Sequence, residues 1–503
     1  MTTTLLEREG QARSADLVPD NPHHARRWLI LAVLGVAQLM VVLDATVVNI
    51  ALPSAQHALG FSDNARQWIV TAYALSFGSL LLIGGRLADF LGRRTTFLVG
   101  LAGFAIASAV GGAATNFTML VSARAVQGAF GALLAPAGLA LLTTTFTEAR
   151  ERARAFGIYG AIAGAGAAVG LLLGGVLTEF ASWRWTMFVN LIFAGIALVG
   201  GYLLIHQQRA EHRARLDWPG TITVSAGLFS VVYGFSHAET AGWSDSVTIG
   251  FLVAAVVLLA GFVMIQIRTP HALLPLRVVL DRNRGGAFLA MFVAAVGMFG
   301  VFLFLTYYLQ LIRNYSALGT GVAFLPMVAT LVISSTIVSA GLATRVSPRI
   351  LIPGGLATTA VGMYLLTGIS VSASYVSSVL PALLVMGVGM GLVFASAMSV
   401  STMGVLVDDA GVASAAVNTV QQVGGSIGTA LLNTIAASAA TSYLASHAAG
   451  SAALVAGQAA VHSYVVAFWW AAAIFAGGAA VIAMVMRSGV PQVDPNQEAV
   501  VVV

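Results

Sequence analysis

The sequence contains no cysteine, which excludes disulfides, thiolate metal sites and a cysteine nucleophile. Lysine is missing too, because all 24 basic residues are arginines. Without it neither a Walker-type phosphate lysine nor a Schiff base can form, so this chain alone cannot draw on ATP. Charge of either sign is scarce: 9% of the 503 residues are charged, against roughly 25% in soluble domains. That is too little to solvate the roughly three domains a soluble chain of this length would form. The nine histidines show no paired ligand spacing inside an apolar run. No metal, no cofactor and no catalytic constellation are expected, and the chain does not read as an enzyme.

What the sequence has in abundance is apolar surface, with 58% of residues in the hydrophobic classes and a mean hydropathy of +0.90. A membrane-spanning helix needs about 20 mostly apolar residues. Fourteen such runs begin near residues 28, 67, 95, 117, 155, 185, 218, 246, 285, 320, 350, 377, 411 and 463. The net charge of +5 would suit a nucleic-acid partner, but the placement of the arginines argues otherwise. Sorted by the implied loops, twenty fall on one side, Arg66, Arg184 and Arg313 on the other, and Arg124 inside a span. Such a bias puts the arginine-rich side, with both termini, in the cytoplasm. The expected protein is all-α and polytopic, with cytosolic tails at 1–27 and 487–503. The Ala-, Gly- and Val-rich, lysine-free composition suggests a GC-rich bacterial genome, hence a bacterial cell membrane. The Ala/Ser-rich stretch 437–462 reads as a long outer loop, part of it open to an amphipathic helix.

A weak internal repeat supports a division of the chain. Gly85-Arg86-Leu87-Ala88-Asp89-Phe90-Leu91-Gly92-Arg93 follows the second run, and Gly341-Leu342-Ala343-Thr344-Arg345-Val346-Ser347-Pro348-Arg349 follows the tenth. Both copies join the second and third helices of a six-helix unit, and transporters are often built from such repeats. Two six-helix bundles, 28–205 and 284–486, are expected, with two additional spans in a linker over 206–283.

Three strings carry polar chemistry. In Gly85 to Arg94 the glycines Gly85 and Gly92 permit close approach and a tight turn, while Asp89 can pair with arginines such as Arg93 and Arg94 or cap a helix. Leu43-Asp44-Ala45-Thr46-Val47-Val48-Asn49-Ile50-Ala51-Leu52-Pro53 lies in the first run, and its Asp44 is the one acid that cannot be placed in a loop, tail or helix end. A carboxylate in lipid is costly and is relieved by protonation, which suits proton exchange; a hydrated structural acid near the outer interface is the other reading. In Arg124-Ala125-Val126-Gln127-Gly128, Arg124 and Gln127 share a helix face, and an arginine in mid-span needs a cavity or a partner; a structural donor to backbone carbonyls across the bundle is the other reading of Arg124.

The first of these strings resembles the loop motif of the major facilitator superfamily, the third resembles its Arg-x-x-Gln-Gly motif, and the Asp44 string is similar to the signature of its fourteen-span drug:proton antiporters. Gly166, Gly170, Gly174 and Gly175 resemble that family's antiporter glycine motif, with Leu171 where the motif has proline. Trp183-Arg184-Trp185-Thr186-Met187, continuing to Phe188 and Asn190, resembles the string these exporters carry after that span. The resemblance implies that the Gly85–Arg94 cluster latches two halves on the cytosolic side, that Asp44 and Arg124 couple transport to protons, and that the bundles rock about a central site. The glycine face is expected between the halves. Asn49, Gln127, Tyr307, Gln310, Asn418, Gln421 and Gln422 are candidates for a substrate cavity, although Asn418, Gln421 and Gln422 equally suit helix-to-helix hydrogen bonding.

The function so implied is proton-coupled export of lipophilic drugs or antibiotics. Two alternatives stay open: export of an endogenous metabolite such as an amino acid, peptide or siderophore, and a non-transporting receptor or scaffold on the same fold. The partners expected are a small molecule, protons and the bilayer, with no nucleic acid, and the chain is expected to be a monomer.

Overall fold

The computed structural model describes residues 24–489 except 63–64, 67, 147, 208–216, 270–272, 275, 344, 404, 406–409 and 448–451. Most of both expected tails, 1–23 and 490–503, thus lies outside the described residues. A long helix occupies each of the fourteen apolar runs. They are α1 (Arg27–Leu59), α2 (Trp68–Leu91), α3 (Arg93–Gly112), α4 (Phe117–Thr145), α5 (Ala149–Phe180), α6 (Trp185–Leu204), α7 (Trp218–Ala241), α8 (Ser246–Arg268), α9 (Arg282–Tyr307), α10 (Ala317–Ile337), α11 (Pro348–Leu366), α12 (Leu380–Thr402), α13 (Ala410–Ser446) and α14 (Ala452–Val485).

Among the described residues twelve helices are long and apolar enough to cross a membrane, and α5 and α7 stand outside that set. Among the residues of α5 whose side chains are described, the apolar stretch is Val169–Phe180. Glycine, serine and threonine dilute α7.

Local chemistry sets the helix ends. α1 stops at Gly60, whose φ of +68° closes the helix with an N–H to Gln56 O, a conformation that costs glycine little. Asn116, Asp245, Asp281, Ser316 and Ser347 cap α4, α8, α9, α10 and α11 by accepting from first-turn N–H groups, as short polar side chains do. Burial pushes the Asp245 carboxyl up, but the N–H groups of Thr248 and Val247 and the neighbouring His237 outweigh it and hold it below its ordinary value. The two copies of the weak repeat break differently: the first stays helical to Leu91 and turns at Gly92 (φ +91°), the second turns at Gly341 (φ +145°).

Two packed cores organise the molecule. One, within α1–α6, gathers Met40, Phe97, Phe104 and Phe146; the other is centred on Phe304, Phe324, Phe468 and Phe475 of α9–α14 and continues into the first group through Ile50, Leu120, Leu171 and Met187. The two groups of six meet along two seams, α5 against α10 and α2 against α13, and α7 lies against both α2 and α13. Arg27 pairs with Glu151 at 2.7 Å, so α1 and α5 start on one face, here termed proximal. Gln310 donates to Ile50 O at 3.2 Å, which places the ends of α1 and α9 together on the opposite, distal face. Arg282 at the start of α9 donates to Val485 O at the end of α14, so α14 ends on the proximal face where α1 begins.

The distal face is shut. Besides the Gln310 bond, Glu179 Oε2 accepts from Leu318 N at 3.0 Å, and the Arg66 guanidinium stacks 4.0 Å from the ring centre of Tyr307. Glycine makes the α5–α10 approach possible. A Cβ on Gly321 would sit 2.5 Å from Leu171 O, and one on Gly175 would sit 2.6 Å from Leu318 Cα. α5 continues as one helix through Leu171, whose side chain is fully buried.

Two expectations need correcting here. Gly166, Gly170 and Gly174 do not lie between the halves: they face Val42, Thr46 and Val47 of α1 within the same group, and only Gly175 faces α10. The stretch 437–462 is not a long loop, because α13 runs to Ser446 and α14 begins at Ala452. Its alanine content, the best helix former, extends both helices past their apolar runs.

If the glycine contacts hold the distal seam shut, Gly321→Val should open it. Overpacking of this kind costs roughly 1–3 kcal/mol, enough to raise the open population about tenfold. A single cysteine at Ile50, in a chain that has no other, should then react with a maleimide correspondingly faster. Unchanged reactivity would show that the seam is not held there.

Candidate functional site

Asp44 lies midway along α1 and is wholly buried. Thr46 and Val42, two residues to either side, face the glycines of α5, so Asp44 points about 160° away, at 100° per residue, into the interior of the first six-helix group. There Arg124 of α4 donates through Nη1 to Asp44 Oδ2 at 2.6 Å. The other oxygen, Oδ1, accepts from Gln127 Nε2 at 2.7 Å and from Asn190 Nδ2 of α6 at 2.8 Å. Ser108 of α3 accepts from both amides, at 2.7 Å and 3.0 Å. Arg124 Nη1 also donates to Gln127 Oε1 at 2.7 Å, its Nε donates to Ile69 O at 3.3 Å, and its guanidinium lies 4.4 Å from the ring centre of Tyr73.

Sequence places these groups. Arg124 and Gln127, three residues apart, project from one face of α4. Gly128 comes next, and a Cβ there would overlap the Tyr73 carbonyl, so glycine brings α2 close enough to offer Ile69 O and the Tyr73 ring. Asn190 is positioned by the turn before α6, where Arg184 donates to Gly112 O and Ala114 O and stacks on Trp183. A cation at the carbonyl end of α3 is favourable.

Electrostatically the site is a closed ion pair. Asp44 is 0% and Arg124 2% exposed. Taking either charge out of water costs several kcal/mol, and the short charge-assisted bonds offset that cost only while both partners remain. Two atoms at the site carry no hydrogen bond, the Tyr73 hydroxyl and Asn190 Oδ1.

The remaining candidates lie elsewhere. Asn49 bonds its own helix at Ala45 O. Tyr307 and Gln310, at the π turn ending α9, take part in the distal closure described above. Asn418, Gln421 and Gln422 are part-buried on α13, with Gln422 against Gly78 of α2 at the seam. Of the expected latch, Gly85 faces Pro136 and Gly92 makes the turn, while Arg94 donates to Tyr202 O at 2.9 Å and to Gln207 Oε1 at 3.4 Å. Those Arg94 bonds stay within the first six-helix group. Arg93 is part-buried, and the Asp89 side chain lies outside the described residues.

Sequence reasoning overlooked Ser108, Tyr73 and Asn190 as site residues. Asn190 left one signal, its place in the Trp183–Asn190 string; Ser108 and Tyr73 left none.

Arg124→Leu should lower the thermal unfolding midpoint in detergent sharply, because an unpaired buried carboxylate costs about 3–5 kcal/mol. Adding Asp44→Asn should recover most of the loss. A double variant no more stable than Arg124→Leu would refute the pairing.

Comparison with known proteins places this geometry in a family. A model of the Major Facilitator Superfamily matches residues 34–429. The puromycin resistance protein pur8 of Streptomyces alboniger is 50% identical over 448 residues, 89% of this chain and 88% of that protein. The cephamycin export protein CmcT of Amycolatopsis lactamdurans is 37% identical over 82% of this chain and 86% of its own length. The tetracenomycin C resistance and export protein of Streptomyces glaucescens is 33% identical over 84% and 78%. Among solved structures, an auto-inhibited peptide transporter of the POT family superposes with a TM-score of 0.68 at 16% identity, covering 94% of this chain and 99% of that one. A bacterial homologue of the lysosomal transporter Spinster, inward-facing and unoccupied, gives 0.63 at 15% identity over 91% and 96%. At such identities these two speak for the fold alone. The family match and the relatives together make the chain a member of the Major Facilitator Superfamily, a multi-pass membrane transporter rather than an enzyme.

Proposed function

We propose that the protein exports antibiotic-like small molecules in exchange for protons. The observation that carries this reading is the Asp44–Arg124 pair, an ionisable group sealed at 0% exposure in the middle of a spanning helix. An intramembrane acid of this kind is a functional residue by default, and proton relays are among the uses such acids serve. The relatives named for puromycin, cephamycin and tetracenomycin resistance or export supply the substrate class. Puromycin is the first molecule to test, given the 50% identity.

In this reading all fourteen helices cross the membrane, α5 and α7 included, as two bundles over 28–205 and 284–486 with the α7–α8 pair in the linker 206–283. Both termini are cytoplasmic, by the arginine bias, in a bacterial plasma membrane, and the transporter works as a monomer. The proximal face is then the cytosolic one. With the distal seam shut, substrate enters from the cytosol and Asp44 is ionised against Arg124. Opening of the distal seam admits a proton to Asp44 and releases substrate outward. Return to the shut state restores the ion pair and discharges the proton inward. The Gly85–Arg94 turn, with Asp89, Arg93 and Arg94, would steady the cytosolic side in the outward phase.

In inverted vesicles, puromycin should dissipate an imposed proton gradient, and Asp44→Asn should reduce that response to the empty-vesicle level while leaving the protein inserted. Asparagine keeps the size and polarity but cannot titrate. Full proton-coupled transport by the variant would sink the assignment. In a host stripped of its own efflux pumps, expression should raise the inhibitory concentration of puromycin severalfold. A panel of puromycin, a cephamycin and tetracenomycin in which nothing changes would refute drug export.

A further inference from the structure

The unpartnered oxygen of Asn190 has no use in the ionised site. Asn190 is 0% exposed, its Nδ2 donates to Asp44 Oδ1 and Ser108 Oγ, and its Oδ1, buried in the same cluster, has no hydrogen-bond partner. A buried amide oxygen without a donor is costly, and in a site of this density it calls for a second state in which the atom is used.

We infer that Asn190 is the positioning residue that accepts the proton-bearing oxygen of Asp44, its side-chain amide turning over between the two protonation states. This rests on the proton-coupling reading above. When a hydronium ion gives its proton to Oδ1 of the ionised carboxylate, an O–H bond of hydronium breaks and leaves water, one carboxyl O–H bond forms, and the Asp44–Arg124 ion pair becomes a neutral acid beside a cation. The new hydroxyl needs an acceptor. Gln127 cannot supply one, because its Oε1 is taken by Arg124 and its Nε2 faces Asp44. Asn190 can, by half a turn of its amide about χ2, a broad torsion with two roughly equivalent settings. The 2.8 Å now spanned by N–H···O suits O–H···O equally well, so no helix has to move.

The neighbours tolerate the exchange. The Ser108 hydroxyl is donor and acceptor by rotation, so it can donate to the turned oxygen where it now accepts from the nitrogen. Arg124 keeps Gln127 Oε1, Ile69 O and the Tyr73 ring when the charge of Asp44 is gone. Among the described residues, the titratable or charged side chains facing Asp44 from the packed helices are Arg124 and Tyr73, while α3 and α6 present the uncharged Ser108 and Asn190. One amide atom of Asn190 lacks a partner in either state: the oxygen when Asp44 is ionised, the nitrogen when it is neutral. That constant penalty keeps the amide from locking the site in one form.

The test is pH-difference infrared spectroscopy of the full chain in phospholipid liposomes. Wild type should show a protonated-carboxyl C=O band that Asp44→Asn abolishes, at the low frequency of an acid that donates a hydrogen bond. Asn190→Leu, close to the same size but without an acceptor, should keep the band and move it to higher frequency, with puromycin-driven proton flux falling about tenfold, the worth of one hydrogen bond. If the leucine variant fails to insert, Asn190→Ala makes the same comparison without bulk. A band abolished by Asp44→Asn but unmoved by either Asn190 variant would overturn this inference and leave proton coupling intact. Absence of any Asp44-dependent band would overturn both.

Discussion

A carboxylate in mid-membrane has to be paired, and much of the first six-helix group is arranged around that requirement. Desolvating Asp44 and Arg124 costs several kcal/mol for each ion. The site therefore draws on α2, α3, α4 and α6 for a cation, two amides, a hydroxyl, a carbonyl and an aromatic face. Each must approach a helix axis closely, which explains why the helices that carry them are rich in glycine. Gly128 brings α2 against α4, and Gly166, Gly170 and Gly174 seat α5 on the reverse side of α1.

The same glycines sort the helices into tight pairs. α2 is pressed onto α4 at Gly84, Gly128 and Gly131, and α1 onto α5 along its glycine stripe. Each pair meets a different part of the second group, α2 against α13 and α5 against α10. The Asp44–Arg124 bond ties one pair to the other.

The loud features of this site are legible in the sequence and the quiet ones are not. Asp44 and Arg124 stand out because a charge inside an apolar run has few structural uses, and Gln127 is found through its spacing from Arg124. Ser108 and Asn190 are hidden because uncharged polar residues in spans commonly bond their own backbone, as Asn49 does to Ala45 O and Thr46 to Val42 O. No spacing distinguishes a side chain that turns inward to its helix from one that reaches across. The glycine stripe shows the same limit: composition announces a close approach but not the neighbour, and the neighbour is α1. Helix positions follow hydropathy where lipid is the solvent and lose it where the helix leaves the bilayer, as in 437–462. There alanine propensity, not apolarity, sustains the helix.

The lengths of α13 and α14, 37 and 34 residues, correspond to about 55 Å and 51 Å, well beyond the roughly 30 Å hydrocarbon layer. Their distal ends, where Tyr443 stacks on His447 at 4.1 Å and packs on His462, therefore carry more helix than the hydrocarbon layer requires. For a chain of 51.8 kDa, that pair of helix ends is a ready handle. An antibody fragment raised against it would give particle images the asymmetric landmark that a detergent-wrapped bundle lacks.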